Sequence, residues 1–220
     1  MLENKEDCDI PPELRITDGM KTSFVLVIRP LVYMAMFGKD TVAVMSIQSA
    51  LKNLSWIEPS LVVPGLLDRV YPSLESLSES HRTMASLGAL YSNARALLTV
   101  KHYPEGGQHL MPLLNLILPA IDMNDPSKSS SALLFISLLC YYVPVIESPS
   151  VSTNSETEYE QIRRLNSLNY EDWITSFLSR VLSLVENLPD QHESSSNNKQ
   201  TTENSLMDMV MVSFFFLIRF

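Results

Sequence analysis

At 220 residues with a formal net charge of −9, the chain has room for one large domain or two small ones, and no basic run that would hold a phosphate backbone, so nucleic acid is excluded as an expected partner. Hydrophobic residues make up 45% and charged residues 19%, enough for a sizeable core, and only 6 residues are Gly, which favours helices over a glycine-punctuated β architecture. Two cysteines, Cys8 and Cys140, form neither a disulfide framework nor a zinc pattern and suit a reducing compartment.

The opening MLENKEDCDI has no basic run followed by an apolar one, so no signal peptide is expected. Residues 1–21 read as an acidic, poorly ordered stretch, and the sequon Asn53-Leu54-Ser55 has no expected use. From 22 to 146 the pattern is that of HEAT-like helical repeats. Residues 24–37 are apolar but broken by Arg29 and Pro30, which favours a buried core helix over a membrane span. A helix with internal prolines is expected near 60–77. A second, 80–98, places Met84, Leu87, Leu90, Tyr91, Ala94, Leu97 and Leu98 on one face, with Arg82 and Arg95 on the others.

Another proline-bearing helix is expected near 108–121, and here an internal repeat emerges. Setting Pro72 against Pro119 pairs Val63 with Leu110, Leu66 with Leu113, Leu67 with Leu114, Val70 with Ile117 and Leu74 with Ile121. A helix–turn–helix unit recurring at about 40–47 residues is the HEAT/armadillo period. Next, Asp125 is placed to cap a helix whose first residue is Pro126, a position that needs no amide donor. That helix runs to about Val143 and is apolar almost all round, so it should be buried on several sides.

The acidic segment 147–165 reads as a loop. A further solenoid helix is expected within 166–189, where Trp173, Phe177, Val181, Leu184, Val185 and Leu188 form an apolar stripe widened by Ile174, Leu178 and Leu182. Asn169 is placed to cap it and Pro189 to stop it. Residues 190–204 are low-complexity, and 205–220 form an apolar C-terminal helix or tail. Glu147 to Glu203 holds ten acids against four bases, so most of the negative charge lies here.

Residues of the types that carry chemistry have plainer explanations. His81, His102, His109 and His192 share no metal-ligand spacing, and contacts at turns and helix ends are the expected role. Gly106-Gly107 follows no strand and precedes no Gly-Lys-Ser/Thr, so a positive-φ turn between helices is expected in place of a phosphate loop. Asp122 and Asp125 read as capping groups, Arg163-Arg164 as solvated charge, Tyr141-Tyr142 as core. No catalytic or metal-binding residue is assigned, and the chain reads as a binding protein.

The run YPEGGQHLMPLLNLILPAIDMNDPSK, residues 103–128, closely resembles the large HEAT-repeat (Blm-type) proteasome activators. Its Tyr-Pro-Glu-Gly turn, Pro-Leu-Leu helix ending in Leu-Pro, and Ile-Asp-x-Asn-Asp turn before a lysine carry the similarity. HRTMASLGALYSNARALL and YEDWITSFLSRVLSLVENLP look like the same family, extending the similarity over about 55–189. The resemblance implies an all-α solenoid fragment of a scaffold that caps the 20S proteasome core particle and promotes ATP-independent degradation. It also implies a nuclear and cytoplasmic location, links to DNA repair and acetylated histones, and no catalytic residues. Inositol phosphate binding is implied for the family at positions not assignable here. The family's chains are several times longer and dock through a Tyr-Tyr-Ala tail, whereas this chain ends Phe-Leu-Ile-Arg-Phe, so a middle-region fragment is expected. The alternative is a HEAT-like adaptor for another protein partner in transport or trafficking.

Overall fold

The computed structural model describes residues 15–76, 79–99, 102–122, 124–142 and 170–186, with Pro11 alone before them. These residues form seven α-helices and two 3₁₀ turns, and no strand occurs among them. In chain order the helices are α1 (Asp18–Ala35), α2 (Thr41–Ile57), α3 (Pro59–Glu75), α4 (Ser80–Leu98), α5 (Leu110–Ile117), α6 (Pro126–Tyr142) and α7 (Tyr170–Glu186). The 3₁₀ turns are Pro104–His109 and Leu118–Ala120, one on each side of α5. Expectations for 147–165, Asn169, Leu188, Pro189, 190–204 and 205–220 lie outside the described residues.

Short polar side chains start α1, α2 and α6. Thr17 Oγ1 accepts the Met20 amide at 3.3 Å, and an Asp40 carboxylate oxygen accepts the Val42 amide at 3.0 Å. Asp125 Oδ1 accepts the Lys128 amide at 3.0 Å with Pro126 as the first helical residue, as the sequence predicts. Helix α1 begins at Asp18, earlier than residue 22, because Thr17 supplies the cap.

The helices stack as pairs: α1 with α2, α3 with α4, α5 with α6. The first helices, α1, α3, α5 and α7, touch in succession as one layer, and the second helices, α2, α4 and α6, as another. This is a HEAT-like solenoid. The chain doubles back within a pair, since Ser86 Oγ near the start of α4 bonds Ser73 Oγ near the end of α3 at 2.9 Å. The 47-residue repeat is structural: Val63, Leu66, Leu67, Val70 and Leu74 of α3 are all buried, and so are Leu110, Leu113, Leu114, Ile117 and Ile121.

Prolines are accommodated on exposed faces. Pro30, Pro64 and Pro72 are exposed inside their helices, and each removes one backbone hydrogen bond. On the turn of α3 that contains Pro64, the Leu61 carbonyl accepts from Arg29 and the Val62 carbonyl from the Tyr33 hydroxyl, tying α3 to α1. The expected single helix over 108–121 is instead divided. Pro112 has no amide to offer the preceding turn, so 104–109 stays 3₁₀, and at Pro119 the chain tightens to 3₁₀ again.

Helices α4 and α6 of the second layer bury several small side chains. Ala85, Ser86, Ala89 and Ala96 of α4 and Ser129, Ala132 and Ser137 of α6 are buried. Helix α4 lies between α2 and α6 while also packing on α3, so it buries more than the one stripe predicted. Tyr91 departs from that stripe and is 47% exposed. In the apolar run of α6, Leu133, Ile136 and Leu139 are buried together with Phe135, whereas Leu134 and Leu138 are half-buried, and Tyr141 is 58% exposed, edge-on to the half-buried Tyr142. In α7 the stripe of Trp173, Phe177, Val181 and Leu184 is buried as predicted, with Tyr170, Trp173 and Phe177 stacked as successive rings.

Candidate partner-binding surface

The chemistry-bearing residues of the sequence are dispersed. His81 is exposed in the first turn of α4. The His102 ring lies edge-on to Trp56 at 5.0 Å. His109 Nδ1 lies 2.8 Å from the Tyr71 hydroxyl, and burial holds its pKa below 6.5 against the opposing charge of Glu105. Desolvation also pushes the Tyr71 phenol up to about 12. His192, Cys8 and Arg163-Arg164 lie outside the described residues.

The Ile-Asp-x-Asn-Asp turn is a structural clamp. The Asp122 carboxylate accepts the Asn124 amide at 3.0 Å and pairs with Lys128 Nζ at 3.2 Å. The Asp122 amide donates to Ser129 Oγ at 2.8 Å, and that hydroxyl donates back to the Asp122 carbonyl at 2.7 Å. Asp125, besides capping α6, accepts the Ser80 hydroxyl at 3.0 Å and so links the starts of α4 and α6. The Asn124 amide, foremost, and Lys128 hold the Asp122 carboxyl below its usual range. Lys128 is only 7% exposed, so its ammonium needs that carboxylate.

Gly106-Gly107 does not adopt the expected positive φ; none occurs among the described residues. Close approach explains Gly106 instead, because a Cβ there would overlap the Leu97 carbonyl oxygen at the end of α4.

Two surfaces are left open. On α1, Met20, Phe24, Val27, Leu31 and Met34 follow i, i+3, i+4 spacing and are all exposed, Met34 at 83%. The expected burial of 24–37 therefore holds only for the opposite face, where Val25, Val32, Tyr33 and Met36 enter the core. An apolar stripe on each side of one helix is the pattern of a helix with a neighbour on both sides. The second surface is a groove of about 410 Å³ across α2, α4 and α6, lined by Lys52, Trp56, Tyr91, Arg95 and Tyr142 among others. The Arg95 guanidinium lies 4.6 Å from the centre of the Trp56 ring. Periodicity assigned Tyr91 and Tyr142 to the core and gave Trp56 no role. The groove joins three helices far apart in sequence, and only stacking brings them together. A smaller signal was present, since Trp, Tyr and Arg are the residue types that dominate binding hot spots.

Stacked helix pairs in two layers define the class: a HEAT-like helical-repeat solenoid. The chain matches the family described as "Proteasome activator complex subunit 4, mid HEAT repeats region" over residues 1–157 and 146–219. It belongs to that family. It is 35% identical over 211 residues to "Proteasome activator complex subunit 4B" of Danio rerio, covering 94% of this chain and 12% of that relative. To "Proteasome activator complex subunit 4" of Homo sapiens it is 34% identical over 211 residues, covering 94% and 11%. "Proteasome activator subunit 4" of Arabidopsis thaliana is 22% identical over 201 residues, covering 86% and 11%. The chain thus spans about one eighth of the length of these relatives.

Proposed function

We propose that this chain serves as a scaffold and protein-binding segment of a proteasome activator, one that caps the 20S core particle and promotes ATP-independent degradation without catalytic residues of its own. The observation that carries this reading is the match to the mid-repeat family over nearly the whole chain, at 35% identity to the Danio rerio relative. The two-sided apolar character of α1 supports it, because a preceding helix pair of a longer solenoid would cover Phe24, Leu31 and Met34. Nuclear and cytoplasmic location and acetylated histones as substrates belong to the same proposal.

The test is a chimera in which this chain replaces the matching segment of the Danio rerio relative. The chimera is expected to co-sediment with purified 20S particles and to accelerate fluorogenic peptide hydrolysis. A chimera that folds, by circular dichroism and melting, yet neither binds nor accelerates would refute the scaffold role.

A further inference from the structure

The groove across the second-helix layer is unusual in charge and in composition. The chain carries −9 overall, yet two cations from different repeats, Lys52 of α2 and Arg95 of α4, line one groove. Neither has a carboxylate within ion-pair distance or a side-chain hydrogen bond among the described residues. Arg95 nevertheless has a defined place. Its guanidinium lies 4.6 Å from the centre of the Trp56 ring, and His102 meets that ring edge-on at 5.0 Å. Stacking on a π face leaves the planar fork of N–H donors unused, so the group is preorganised for a carboxylate. Tyr91 and Tyr142 add aromatic surface from α4 and α6.

We infer that this groove docks a short, extended peptide of a partner protein in which carboxylates flank an apolar or aromatic side chain. The carboxylates pair with Lys52 and Arg95, and the apolar side chain lies against Tyr91 and Tyr142. Three adjacent helices at spacings of about 9 Å give a track of about 20 Å, the reach of roughly six extended residues. Aromatics with Arg also stack nucleic-acid bases, but a phosphate backbone carries a charge at every nucleotide, more than two cations can match, whereas a peptide needs only two carboxylates. The inference rests on the groove alone, so failure of the chimera to bind core particles leaves it standing.

The experiment uses the whole 220-residue chain. Fluorescence anisotropy is measured with a labelled decapeptide alternating Glu and Tyr, its Gln-for-Glu counterpart, and an oligothymidine of equal length. The acidic peptide is expected to bind saturably and to weaken as salt rises. The Gln peptide and the variants Lys52→Gln and Arg95→Gln should each bind roughly tenfold more weakly. Lys52→Gln removes an exposed, unpaired charge and so preserves the fold, which guards against reading misfolding as lost binding. Arg95→Lys keeps the charge, gives up the planar fork, and should lose less than Arg95→Gln. No saturable binding of the acidic peptide, equal binding of the Gln peptide, or unchanged affinity in Lys52→Gln would overturn the inference. Tighter binding of the oligothymidine would overturn it too and reassign the groove to nucleic acid.

Discussion

At Gly106 the backbone of the 3₁₀ turn lies so near the end of α4 that a methyl group would occupy the position of the Leu97 carbonyl oxygen. Gly106→Ala must therefore push the turn off α4, an overpacking cost of roughly 1–3 kcal/mol that chemical denaturation would measure. An unchanged midpoint would mean the turn shifts freely. Three residues on, His109 contacts Tyr71 of α3, and burial depresses its pKa. A base whose folded pKa is lowered binds fewer protons folded than unfolded, so stability rises with pH between the two values. Its contribution is complete above the ordinary imidazole value of 6.5 and is lost as pH falls through that value towards the folded one. The melting temperature should accordingly decline from about pH 7.5 to 5.5, with a shallower decline in His109→Gln. Equal slopes in both proteins would remove His109 as the cause. Asp122 is depressed in the opposite chemical sense, an acid favoured as its anion. Its stabilisation lies above 3.8 and is lost only in stronger acid, outside this window.

The helices show which side chains hold one layer to the next. Helix α7 contacts α5 and buries Trp173, Phe177, Val181 and Leu184, while Leu182 on the same helix is 56% exposed. Trp173→Ala should cost about 3–5 kcal/mol if α7 is docked through that face. Leu182→Ala, at an exposed position, should stay within about 0.5 kcal/mol. Comparable effects from the two would show that α7 is not seated on the solenoid by the stripe described. Helix α4 makes a related point through composition. Its buried side chains include several Ala and Ser, while the exposed Tyr91 lines the groove it shares with α2 and α6.

As a whole the molecule is a row of repeats in which each pair is supported by its neighbours. The chain corresponds to about one eighth of the length of its relatives, so in the proposed role it would supply at most a part of the surface that meets a core particle. Multivalent interfaces lose affinity more than proportionally when contacts are removed. The isolated chain is therefore expected to bind 20S particles weakly or not at all and to leave peptide turnover unchanged. Co-sedimentation and fluorogenic turnover with purified components measure both. Tight binding with accelerated turnover would instead place an activating surface within these 220 residues.

What the sequence determined by itself was the start and the apolar face of individual helices. The apolar period of α7, the Asp125-Pro126 helix start and, within each copy, the repeat that sets Val63 against Leu110 and Val70 against Ile117 are patterns of spacing along one helix. Those features were legible because backbone geometry ties residue order to a helix face, and in the repeat the same local pattern recurs 47 residues further on. The tertiary structure decided what happens between helices. It left one face of α1 bare, gave Gly106 its reason as contact with Leu97, and turned Tyr91 from an expected core residue into a groove wall. It also brought Lys52, Trp56 and Arg95 together across a loop and two helices. Apolar periodicity cannot distinguish a face covered by a neighbour from one left open, since both require the same residues.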